Sequence, residues 1–119
     1  MSTCFDTSDV MALSRASLEE TERRLNEIPA DLSAPFYAEA GTLEQQLLSV
    51  YRTVALCVRK EDNLDVIAEW WNTMCKVCDE FLARLFRLCQ EHPACGAAIF
   101  YDRVLDLRSR CQRLMNLHS

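Results

Sequence analysis

The chain has 119 residues, a length at which one core buries roughly two thirds of the unfolded surface and holds a single domain together without staples. Its formal net charge of -5 works against bulk attraction to nucleic acid or to an anionic membrane, so neither is expected as a partner. Two glycines and three prolines are too few for the turns of an all-β fold. What remains is an all-α, antiparallel up-and-down bundle of about four helices, one domain over residues 1–119.

The first helix is predicted over 8–28. Thr7, Ser8 or Asp9 can cap its free amides, and Pro29 stops it. Met11, Leu18, Leu25 and Ile28, with Val10 and Leu13 beside them, make a thin apolar stripe, so this helix is the least anchored. Residues 29–42 hold Pro29, Pro35 and Gly41 and read as a loop pinned by Phe36 and Tyr37. The second helix is predicted over 42–61, from a Thr42/Gln45 capping box. Leu43, Leu47, Val50, Val54 and Cys57 form one row and Leu48, Tyr51, Ala55 and Val58 another, so this helix touches more than one neighbour.

The third helix, predicted over 63–91, opens on Asn63 as its cap. Leu64, Ile67, Trp71, Met74, Cys78, Phe81, Leu85 and Leu88 fall at steps of three and four without a miss, which predicts a central rod with left-handed packing. Val66, Trp70, Cys75, Val77, Leu82 and Phe86 widen its buried surface. His92 and Pro93 end it, and Ala94-Cys95-Gly96 makes the turn. The fourth helix is predicted over 97–118, with Phe100, Val104, Leu107, Cys111, Leu114 and His118 inward and Arg103, Asp106, Arg108, Arg110 and Arg113 mostly outward.

Residues 1–11 lack a basic segment followed by an apolar run, and no stretch approaches about 18 uninterrupted apolar residues. A cytoplasmic location is therefore expected, where the seven cysteines stay reduced.

Cys75-x-x-Cys78 and Cys89-x-x-His92 look like a four-ligand zinc pattern. On one unbroken helix, however, Cys78 and Cys89 stand about 16 Å apart along the axis, too far for one ion. Folding the third and fourth helices about residues 94 and 95 instead sets Cys78 against Cys111, with Cys75 one turn away. Three thiols in one layer suit a soft metal or a redox pair, and equally suit core packing, since buried free cysteine behaves as a small apolar residue.

Arg87-x4-His92 and Arg113-x4-His118 carry an arginine–histidine spacing that resembles the HEPN family, helical bundles that include metal-independent ribonucleases. That resemblance implies RNA cleavage at a dimer interface by these arginines and histidines. Leu88 and Leu114 follow the arginines where active members usually show a polar residue. Arginine and histidine near a helix carboxyl end also complement its negative pole. Trp70, next to the seam residue Trp71, points about 100° away from it and falls on a flank, where it is a candidate partner-binding residue unless the first helix or the 29–42 loop covers it.

No glycine-rich phosphate loop and no Ser-His-Asp arrangement is found, and no cofactor is implied. The sequence therefore reads as a non-catalytic interaction or regulatory bundle, self-associating as a homodimer or binding another protein. The alternatives are a thiol sensor or soft-metal binder and, third, the ribonuclease.

Overall fold

The computed structural model describes residues 6–118. Four helices follow one another: α1 (Thr7–Glu27), α2 (Ala34–Arg59), α3 (Leu64–Glu91) and α4 (Ala98–His118), with one 3-10 turn at Pro93–Cys95 between the last two. The all-α, four-helix architecture expected from the sequence is the one observed.

Two helix starts differ from expectation. Asp6, one residue before the three expected caps, closes a capping box on α1. Its carboxylate accepts from the Asp9 amide at 2.9 Å, while Asp9 accepts from the Asp6 amide at 3.0 Å. α2 begins at Ala34, inside the expected 29–42 loop. Pro35 stands in its first turn, where no backbone donor is needed, so this proline begins a helix and does not interrupt one. Thr42 is consequently a helix-interior residue and caps nothing; its hydroxyl donates to the Ala38 carbonyl at 3.1 Å.

α3 is the hub. Asn63 caps it as expected, accepting from the Asp65 amide at 2.9 Å. The helix runs unbroken for 28 residues, about 42 Å. Toward α1 it presents Glu80, 3.2 Å from Arg15, and Arg84, 2.7 Å from Glu22. Toward α2 it presents Trp71, whose ring lies 5.8 Å from that of Tyr51. Toward α4 it presents Asp79, bonded to Arg108 at 3.0 Å, and Phe86, whose ring lies 6.3 Å from that of Tyr101. Of the eight predicted seam residues, Leu64 is exposed because it is the first residue of the helix; the others are buried.

The fully buried face of α1 runs Val10, Ser14, Thr21, Leu25, so two hydroxyl residues occupy core positions. Ser14 donates to the Val10 carbonyl at 2.8 Å and Thr21 accepts from Arg24 at 3.2 Å, which satisfies both without a partner helix.

α1 and α4 pack on different sides of α3 and, among the described residues, do not touch. α2 meets α4 only near the turn, where Gly41 approaches Phe100 and Glu44 pairs with Arg103 at 3.2 Å. The result is a flattened body of 51 × 31 × 15 Å with a radius of gyration of 15.5 Å, larger than the about 13.5 Å typical of this length. Among the described residues no helix is long and apolar enough to cross a membrane.

Candidate functional site

The α3–α4 hairpin carries most of the residues with chemical potential. Its turn is built from Pro93–Cys95 and from Gly96, which adopts the left-handed conformation at φ 78° that a side chain would disfavour. The antiparallel register is then fixed by the Asp79–Arg108 and Phe86–Tyr101 contacts.

That register brings Cys78 against Cys111, both fully buried, with Cys75 beside them. The two thiols lie against each other. That contact and burial push the Cys78 thiol far up, while the same contact, with Arg110 and Arg108 nearby, holds Cys111 down against the effect of burial. Burial, and then the neighbouring Cys111, push Cys75 up. Among the described residues no three His, Cys, Asp or Glu side chains gather closely enough to hold a metal ion. The arrangement is a thiol pair with a third thiol alongside, under the Asp79–Arg108 ion pair. The Cys89 and His92 end of the zinc pattern stays with the turn, on the same continuous helix.

Trp70 is buried, 6% exposed. It precedes Val77 and Arg84 by seven and fourteen residues on α3, on the side where Arg84 meets Glu22 of α1, so the folded chain does not present it to a partner. Trp71 is buried too, with its indole N–H unpartnered.

The two arginine–histidine sets are kept apart. Arg87 is exposed and pairs with Glu91 at 3.5 Å, while His92 stacks on Phe36 with ring centroids 3.6 Å apart. Arg113 and His118 lie in the last two turns of α4, which antiparallel packing sets at the opposite end of the hairpin from His92. No site within one chain combines them.

Two buried charges were not anticipated from the sequence. Glu44 is 8% exposed and answered by Arg103, and Arg84 is 9% exposed and answered by Glu22, with its Nη1 buried and unpartnered. Their only sequence signal is a charge standing within an otherwise apolar row.

The outer face of the hairpin is apolar in part. Phe86 is 51% exposed, and α4 displays Ile99, Leu105 and Leu117 at 46%, 42% and 76%. Asp102, Asp106, Arg110 and Arg113 stand among them, all exposed and, among the described residues, in no ion pair. Compared with known proteins, the chain matches no family model, no curated protein and no solved structure.

Proposed function

We propose that this chain is a non-catalytic protein-interaction module that binds a protein partner, a second copy of itself included, through the outer side of α3–α4. One observation carries the reading. α4 rests on α3 along its length and meets α2 only near the turn, yet it displays Ile99 and Leu117 along one exposed edge and Leu105 on another, the flank where Phe86 meets Tyr101. Apolar side chains on an unpartnered helix stabilise an association by leaving water, and an aromatic group among them is a usual anchor. A cytoplasmic setting fits the six described cysteines, all of them free.

The test is photo-crosslinking in the cell that makes the protein, with a benzophenone side chain at position 105 or 117 and, as the control, at Leu56 of α2, whose exposure lies between theirs. Adducts from the α4 positions and none from position 56 are expected. No adduct from α4 ends the reading.

The Cys78–Cys111 contact favours a second reading, a thiol sensor. A peroxide would oxidise the two thiols to one disulfide and be reduced to water, with both thiol hydrogens leaving in the water formed. Thiol counting before and after peroxide treatment decides it: two thiols lost from the wild type and none from Cys111→Ala supports the sensor, and an unchanged wild-type count removes it.

A further inference from the structure

α4 contains a strip whose spacing is the same in both directions. Ile99, Asp106, Arg110 and Leu117 are spaced seven, four and seven residues apart. Ile99 and Leu117 are eighteen residues apart, five full turns, so they share one side of the helix about 27 Å from each other. Asp106 and Arg110 fall within about 20° of that line, one on each side of it. All four are exposed, and among the described residues neither charge has an ion-pair partner. The strip is centred on residue 108.

The geometry points to a second copy of this chain as the occupant of this strip, in an antiparallel α4–α4 pairing about a two-fold axis near residue 108. This assignment rests on the interaction reading above and names its partner. In such a pairing, positions adding to about 216 meet. Ile99 then lies on the partner's Leu117, and Asp106 on the partner's Arg110; the two-fold repeats both contacts. Asp102 comes beside the partner's Arg113. Arg103 approaches that same arginine, but it is already answered by Glu44 of its own α2. A shallow depression of about 430 Å³ between Arg110, Arg113, Leu114 and Leu117 gives the partner's Ile99 somewhere to sit.

The sequence makes this specific to one orientation. The outward acidic residues, Asp102 and Asp106, belong to the first half of α4, and the outward Arg110 and Arg113 to the second. A parallel pairing would set acid on acid and arginine on arginine; the antiparallel one sets each on its opposite. The steps 99, 106, 110, 117 also belong to a repeat of about 3.5 residues, the spacing at which two helices keep one edge in contact. α2 borders this edge only at the turn end, through Glu44 and Arg103, and α1 does not touch α4.

The experiment is sedimentation velocity on the purified chain and on two charge-reversed variants, Asp106→Arg and Arg110→Asp. The wild type is expected to dimerise reversibly, more weakly as salt rises, because the central contacts are exposed ion pairs. Each variant alone sets like charges across the axis and is expected to weaken association about tenfold or more. An equimolar mixture of the two restores every opposite-charge contact, so a dimer with one copy of each is expected to reappear. Circular dichroism melts check that both variants fold. A wild type that stays monomeric, or variants that dimerise as well as it does, or a mixture that fails to recover, overturns the assignment. If the wild type is monomeric but position 105 or 117 still crosslinks to another protein, the two-fold pairing falls and the interaction reading stands.

Discussion

Raising the pH from about 8.5 to about 9.5 should destabilise this protein through its buried thiols, because an unfolded cysteine ionises near pH 8.5. Burial keeps Cys75, and the Cys111 contact together with burial keeps Cys78, protonated in the fold to higher pH than that. Above about pH 8.5 the unfolded chain therefore holds fewer protons than the folded one, and stability falls as pH rises. Cys111 is shifted the other way, but its stabilising contribution is complete once pH has passed the unfolded value, and it does not change above it. One pH unit beyond the unfolded value corresponds to about 1.4 kcal/mol for a thiol that stays protonated throughout, as Cys78 does, roughly 5 °C in Tm for a domain of this size, and Cys75 adds to the fall. Thermal melts followed by circular dichroism, in a phosphine reductant, measure the fall. The Cys75→Ala/Cys78→Ala variant should show a much flatter dependence over the same range. A wild type whose Tm is level across it, or a double variant that falls just as far, refutes the reasoning.

Arg84 and Glu22 should behave asymmetrically in urea melts. Glu22→Ala strands a buried guanidinium and should cost about 1–3 kcal/mol, whereas Arg84→Met removes the buried charge with similar volume and should change stability by less than about 1 kcal/mol or raise it. The two glycines should respond with opposite signs in the same assay. A methyl at Gly41 would meet Phe100 at an ordinary 3.5 Å inside α2, so Gly41→Ala should stabilise by about 0.5–1 kcal/mol; Gly96→Ala, at φ 78°, should destabilise by about 1 kcal/mol. Phe81→Ala empties a fully buried site on α3 and should cost about 3–5 kcal/mol by chemical denaturation.

The third helix was the most legible element, and for a physical reason. α3 is buried along several sides, so its apolar residues recur at every step and leave a dense periodic record from Ile67 to Leu88. The turn at Gly96 and the cap at Asn63 were also readable, because each depends on one residue's local chemistry. The Cys78–Cys111 contact followed from those two: once the rod and the turn are placed, an antiparallel hairpin leaves one register. The opening of α2 was not readable, because Pro35 and Gly41 are loop residues in most settings. There Pro35 serves a first turn, and Phe36 is buried and stacked on His92. Ser14 and Thr21 escaped the α1 stripe because their hydroxyls are polar on paper but satisfied locally within the helix.

What the sequence determined by itself, then, is the set of helices, the central place of α3 and the antiparallel course of its partner. Each follows from repeats and caps that act over a few residues. Only the tertiary structure decided that Trp70 is covered, that Glu44 and Arg84 find opposite charges, and that α1 and α4 leave each other untouched, so that the far edge of α4 is open. Periodicity records which face of a helix is apolar, but what covers that face is a property of two elements at once, set by how their side chains interlock in space.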